Sequence, residues 1–278
     1  MSVARVRSSN RGRCGWGDLK FHALRALEPK TSGSTAVSCD STKINGVTRR
    51  CFVCGSVASV ALGQTRISVR HAFDHLLFGV SHLDHGIDWV ERRTGIRPVM
   101  GGVHPGRGTR NALISLGGAQ YLEIIAPDPA QRGGDRQFQL STLTEPRLIN
   151  FAVRTNDIER TAASLRRAGV HVIGPKDGSR RTPAGALLRW KTLGVESKFQ
   201  SGEIDPIPFF IEWASDSTHP SKDAPEGCMI EDLRFEHPRA DELAAALRAM
   251  GLEANVATAD QVRIIARIQT RKGRVELA

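Results

Sequence analysis

Two glutamates are placed where a carboxylate could do chemistry. Glu123 in Tyr121-Leu-Glu-Ile124 and Glu212 in Phe210-Ile-Glu-Trp213 each lie in the middle of an apolar, strand-like run. An ionised carboxylate is costly to bury unless it is paired or coordinates a cation. A strand with one wet face would make both of them surface residues, but apolar neighbours on either side fit that alternation poorly. Both read as interior groups. They also occupy matched places in the closing strands of a repeat, and near the helix starts, laying Ser81 on Asn156 and Leu83 on Ile158, an offset of 75, sets His75 on Asn150. His104, Arg107 and Asn111 lie in or beside a Gly-rich loop, Gly101 to Gly108, that could approach a ligand closely. Arg154 and Arg181 could hold a carboxylate substrate by bidentate pairing. The loop is not a phosphate loop, because it lacks Gly-Lys-Ser/Thr and a following helix. His82, His85, His171, His219 and His237 fall near helix starts or loops and read as surface residues.

The elements that must position these groups recur three times as an apolar strand, an amphipathic helix and a Gly that stops it. The first set is Phe73–Val80, Leu83–Thr94 and Gly95; the second is Leu148–Arg154, Asp157–Ala168 and Gly169; the third is Met229–Phe235, Arg239–Met250 and Gly251. Asp157 is the expected N-cap of the second helix, with Ile158, Ala162, Leu165 and Ala168 on one face. Strand-like runs follow each helix, and the Gly117-Gly118 pair predicts a hairpin turn into Gln120–Ala126. A period of about 75–82 residues is too long for a solenoid and indicates module duplication.

The body of the chain resembles the vicinal oxygen chelate superfamily, and within it the glyoxalase-like domain proteins. The resemblance is carried by Phe73-Asp-His75, Gly101-Gly-Val-His104-Pro-Gly-Arg107-Gly-Thr109-Arg-Asn111, Tyr121-Leu-Glu123-Ile-Ile, Arg181 with Leu188-Arg-Trp190, and Pro208-Phe-Phe-Ile-Glu212-Trp213. It covers about residues 72–215 well, the C-terminal unit loosely and residues 1–70 not at all. It implies an α+β fold in which paired βαβββ modules form a curled, cup-shaped sheet. The implied domain is 71–218, with modules at about 73–126 and 148–213, followed by a partial third module at 228–278 that covers a sheet edge or supports pairing of chains.

The same resemblance implies a divalent metal (Fe, Zn, Mn or Ni) in the cup, bound through a His or Gln and a Glu from each module. Carried onto this chain, the ligands are His75, Glu123 and Glu212, and Asn150 stands where many members place a second His. Asn is a much weaker transition-metal ligand than imidazole or carboxylate. Such a site binds two vicinal oxygens of a small substrate and stabilises an oxyanion, with Glu212 or Glu123 as general base. Isomerase, lyase and ring-cleaving dioxygenase chemistry all stay open. The alternative is a metal-free protein of the same architecture that sequesters a small molecule, a reading that Asn150 favours.

Charge adds little to this. The net charge is +10 over 278 residues, but residues 1–70 hold 12 Lys+Arg against 3 Asp+Glu, leaving the body at +1. No specific nucleic-acid partner is expected on that balance. No run approaches the roughly 18 apolar residues of a membrane span. Residues 1–70 read as a disordered basic tail, a targeting segment with a loose twin-arginine motif at Thr48–Val53, or a stretch ahead of a genuine start near Val69. Cys51 and Cys54 have zinc-knuckle spacing without a second pair. A cytoplasmic protein is expected, or an exported or organellar one if the first segment is an address; a homodimer is an open expectation.

Overall fold

The computed structural model describes residues 66–131 and 138–278. The expectations about residues 1–65, including the twin-arginine motif and the Cys51/Cys54 pair, lie outside the described residues. In chain order the elements are β1 (Ile67–Ser68), α1 (Val69–Ala72), β2 (Phe73–Gly79), α2 (Leu83–Thr94), β3 (Val99–His104), β4 (Thr109–Ser115) and β5 (Tyr121–Pro127). They continue with β6 (Arg147–Arg154), α3 (Ile158–Arg167), β7 (Val172–Arg181), β8 (Leu187–Val195) and β9 (Phe209–Trp213). The last module is β10 (Met229–His237), α4 (Ala240–Ala249), β11 (Leu252–Glu253), β12 (Asn255–Thr258), β13 (Arg263–Thr270) and β14 (Gly273–Leu277). Among the described residues no helix is long and apolar enough to cross a membrane.

The first two modules build one eight-stranded sheet in the order β3-β4-β5-β2-β6-β9-β8-β7. Within each module the first and last strands pair in parallel, β2 with β5 and β6 with β9. The modules join through the antiparallel β2–β6 pair. All seven residues of β2 are buried, as befits a central strand covered on both faces. One face carries Leu76, Phe78, Leu122, Ile124, Phe151, Val153 and Phe210 into the main core beneath the helices. The other carries His75, Leu77, Tyr121, Glu123, Asn150 and Phe209 into a cavity. The sheet curls until its two edge strands meet: Gly102 in β3 has φ +140°, and a Cβ there would run into the Arg181 carbonyl of β7. Only a glycine allows that approach.

The helices form where their patterns place them. In α2 the stripe Leu83, Ile87, Val90 and Thr94 is buried, and Gly95, at φ +75°, ends the helix with its N–H on the Glu91 carbonyl at 2.8 Å. Asp157 caps α3 by accepting from the Arg160 N–H at 2.9 Å. Gly86, midway along α2, lets the helix sit close on the sheet: a Cβ there would stand within 3.0 Å of the Val80 and Ile124 methyls. Gly86→Ala is therefore expected to destabilise by about 1–3 kcal/mol through overpacking, against the ~1 kcal/mol that Ala gains over Gly in a helix interior. Chemical denaturation checks the sign; a stabilised variant would mean that α2 shifts freely.

The third module does not cover an edge of the large sheet, since those edges meet each other. It forms its own four-stranded sheet, β12-β10-β13-β14, and shares the main core through Phe235, Leu243, Leu247 and Ile264.

Candidate active site

The cavity in the cup measures about 860 Å³, within the usual range for small-molecule sites. Glu123 projects into it from β5, one strand over from His75 on β2, with Leu77 directly opposite Glu123 in the register. His75 Nε2 lies 3.4 Å from Glu123 Oε2, and His104 Nε2 lies 3.4 Å from Glu123 Oε1. Asn111 on β4 donates from Nδ2 to Glu123 Oε1 at 2.7 Å and stands 3.2 Å from His104 Nε2. The other imidazole nitrogen, His104 Nδ1, meets Thr109 Oγ1 at 2.8 Å. One buried carboxylate thus has an imidazole on each oxygen. Gly101 makes room for this arrangement, because a Cβ there would overlap Asn111 Oδ1.

Opposing effects decide the charge states. Burial pushes the Glu123 carboxyl up, but the positive character of His104 and His75, the Asn111 hydrogen bond and the Arg180 charge outweigh it and hold it below the ordinary carboxylate range. Burial is the largest effect on His104 and lowers its pKa against the pull of Glu123, with Arg180 and Arg107 acting in the same direction as burial. Glu123 is therefore ionised near pH 7. Tyr121 stacks on His75 with centroids 4.7 Å apart, and burial next to Glu123 and Asp74 raises its phenol well above the usual value.

His75 is fixed from behind by Asp74, which is fully buried. Asp74 Oδ1 accepts from His75 Nδ1 at 2.9 Å and Trp213 Nε1 at 3.2 Å, while Oδ2 accepts from Arg154 Nε at 2.9 Å and His219 Nε2 at 3.0 Å. Burial alone would raise this carboxyl; the His219 and His75 hydrogen bonds and their charges outweigh burial and hold it far below the usual range. An ionised Asp74 can only accept, so His75 carries its proton on Nδ1 and turns Nε2 to Glu123.

Several expected site residues stand elsewhere. Glu212 is not beside His75 and Glu123. The residues of β9 that face the cavity are Phe209, Ile211 and Trp213, so Glu212 points to the helix side and accepts from the Ile158 N–H at 2.9 Å, at the start of α3. It opens on a second depression of about 490 Å³. Asn150 does reach the cavity wall, but its Nδ2 donates to the Asp205 and Ile207 carbonyls and its Oδ1 accepts from the Phe151 N–H. It ties down the approach to β9, with both Nδ2 hydrogens used and one lone pair of Oδ1 occupied. Arg154 holds Asp74 and the Ala119 carbonyl rather than facing the cavity. Arg181 turns outward to the Gly185 carbonyl, and its neighbour Arg180 lines the cavity instead. His104, Arg107 and Asn111 all line the cavity, as expected.

Three participants were not anticipated. Asp74 precedes His75 in the motif, and an acid in an otherwise apolar strand was its only signal. Arg180 was hidden by its neighbour Arg181. His219, read as a surface residue, belongs to the Asp74 network and comes from a loop whose position no sequence pattern fixes.

The metal set carried over from the resemblance does not fit. Its second-module carboxylate faces away, the second module presents Phe209 and Ile211 in its place, and among the described residues no group of three or more His, Cys, Asp or Glu side chains is disposed to hold a metal ion.

The pattern that defines the Glyoxalase-like domain family matches residues 73–251. Among solved structures, the chain is similar to a hypothetical protein from Staphylococcus aureus, with 20% identity, 70% of this chain and 90% of that one covered, and a TM-score of 0.55. It is also similar to methylmalonyl-CoA epimerase from Mycobacterium tuberculosis, with 22% identity, 52% and 89% covered, and a TM-score of 0.36. The Streptomyces coelicolor methylmalonyl-CoA epimerase in complex with 2-nitronate-propionyl-CoA gives 22% identity, 53% and 97% covered, and a TM-score of 0.39. No curated protein matches. At 20% identity the likeness to the Staphylococcus aureus protein establishes the fold alone.

Proposed function

Because the chain belongs to the glyoxalase-like domain family, we propose that it is an enzyme that moves a proton on a small, oxygen-rich molecule held in the cup. Glu123 takes the proton, and His75 and His104 flank it. The observation that carries this reading is the buried, ionised Glu123 with an imidazole Nε2 3.4 Å from each oxygen, on the wall of a cavity. A carboxylate kept charged on the wall of a pocket is present in the form that can accept a proton at neutral pH. Removing a proton from a carbon next to a carbonyl builds negative charge on the carbonyl oxygen, and the cavity offers cationic Arg180 and the donor groups of Tyr121 and Thr109 along its wall. His75, held by Asp74, stands where a proton can pass between Glu123 Oε2 and its Nε2. Isomerisation and elimination are the reaction classes this arrangement serves, and a substrate with vicinal oxygens suits them. No step of this reading runs through a metal.

A second reading, a sequestering protein of the same fold, is favoured by one observation: Phe209 and Ile211 present apolar surface where a second set of ligands would stand. One experiment separates the two. The purified protein is analysed for bound metal and then assayed, beside Glu123→Gln, with hemithioacetals of α-ketoaldehydes, with catechols and with lactones. Turnover by the native protein that is lost in the variant without metal loss supports the proton-transfer enzyme. Binding without turnover across the whole panel supports sequestration. A stoichiometric metal lost in Glu123→Gln overturns the metal-free mechanism.

A further inference from the structure

Arg180 has an unusual standing among the buried charges. It is 4% exposed and lines the cavity, and it donates to the Gly101 carbonyl. Among the described residues no carboxylate lies within 4.0 Å of it, whereas Arg154 has Asp74 and Arg234 has Asp232 and Glu276. Removing a cation from water is costly unless an anion compensates it. Glu123 acts on it only through space, and an anion brought into the cavity would compensate it directly. We propose that the ligand carries a carboxylate seated on Arg180 and a flat apolar body laid against Trp190. This rests on the proposed function only in taking the cup as the substrate site.

The fixed charges around the cavity agree. Arg107, Lys176 and Arg180 face Glu123 and Asp205, and Asp205 Oδ1 is engaged by Ser197 Oγ and the Ile207 N–H. The balance leaves room for one negative charge. Arg180 also acts through space on Glu123, His104 and Tyr121, so a group seated on it lies near the reacting carboxylate. With one Nη on Gly101, the guanidinium retains an open edge, and a planar carboxylate matches that edge by bidentate pairing.

The apolar half of the proposal comes from Gly178. A Cβ at this position would overlap the Trp190 indole, and the backbone there has no positive φ that would itself call for glycine. The missing side chain therefore serves the ring, which presses on the β7 backbone and leaves the cavity open. Gly178 pairs with Trp190 and Arg180 with Leu188 in the β7–β8 register, which makes Arg180 and Trp190 diagonal neighbours on one face, about 7–8 Å apart between backbones. Trp213 continues the wall, with ring centroids 5.4 Å from Trp190.

The test is a fluorescence and calorimetric titration of the full chain with benzoate, 2-naphthoate and 4-biphenylcarboxylate, each beside its primary carboxamide. The expected result is that at least one bicyclic acid binds tenfold or more tighter than its amide. That preference is lost in Arg180→Gln and partly kept in Arg180→Lys. Gly178→Val weakens the bicyclic acids more than benzoate. If no acid in the set outbinds its amide in the native protein, the proposal is overturned, whatever the variants do. Survival of the preference in Arg180→Gln, or tighter binding of 2-naphthyl phosphate than of 2-naphthoate, overturns it as well. Glu123→Gln keeps the acid preference while losing turnover, so a failed anion seat and a failed proton-transfer mechanism give different results.

Discussion

Glu123→Gln is expected to lower turnover by about a hundred- to ten-thousandfold while leaving the protein folded. The amide keeps an oxygen for Asn111 Nδ2, which now lies 2.7 Å from Glu123 Oε1, and it removes a buried charge, so no packing is lost. What disappears is the lone pair with the basicity to accept a proton. Glu212→Ala makes the contrasting prediction: turnover within about twofold of native, with stability lowered by roughly 1 kcal/mol because the Ile158 N–H at the start of α3 loses its acceptor. Turnover and thermal melts on both variants check the pair, and a catalytic loss in Glu212→Ala with unchanged melting would reinstate it as a site residue. The pH profile carries the same logic. Glu123 works deprotonated and its carboxyl lies below the ordinary range, so the acid limb of kcat/KM that reports the base should fall on the acid side of the ordinary carboxylate range. Absence of that acid-side limb, with a single limb near neutrality that persists in Glu123→Gln, would assign the base to an imidazole instead.

Much of this architecture is legible in the sequence. The three strand–helix–Gly units, the Asp157 cap and the α2 boundaries follow from local patterns that tertiary contacts then reinforce. His75, Glu123, His104 and Asn111, each singled out in the sequence, meet on the cavity wall. The errors share one physical cause, the two-residue period of a strand. Matching Tyr121-Leu-Glu-Ile124 to Phe210-Ile-Glu-Trp213 aligns two glutamates, but the cavity faces are Tyr121, Glu123 and Ile125 in one module and Phe209, Ile211 and Trp213 in the other. A slip of one residue turns a side chain through the sheet, and that slip separates Glu212 from the site. The same step separates Arg181 from Arg180. Glu212 has apolar neighbours on both sides and Arg181 sits among polar and basic ones, Ser179-Arg180 and Thr182, so no alternation exists to set the register. The Asp74–His219 contact spans 145 residues of sequence, and no local signal encodes such a pairing.

Asp74→Asn should be the most damaging single substitution away from the reacting groups. The native carboxylate accepts from four donors, His75 Nδ1, Trp213 Nε1, Arg154 Nε and His219 Nε2. An Asn offers one oxygen and sets an NH2 against donors on its other side, leaving buried N–H groups without an acceptor and Arg154 without its anion. Breaking such a buried charged cluster costs about 3–5 kcal/mol, which for a chain of this size lowers Tm by roughly 10 °C. The sign of the pH dependence follows from the depressed carboxyl. A group whose folded pKa lies far below its unfolded value of about 3.9 contributes its full stabilisation above that pH and loses it as pH falls further. Native Tm should therefore be flat from neutrality to about pH 5 and then drop, while Asp74→Asn, lacking this group, falls less steeply. The gap between the two curves narrows below about pH 4; parallel curves down to the lowest pH at which both remain folded would exclude an ionised Asp74 as the clamp. Turnover gives the second readout. With the clamp gone His75 is free to turn its Nε2 away from Glu123, so kcat falls more than KM rises, a split that loss of stability alone would not produce.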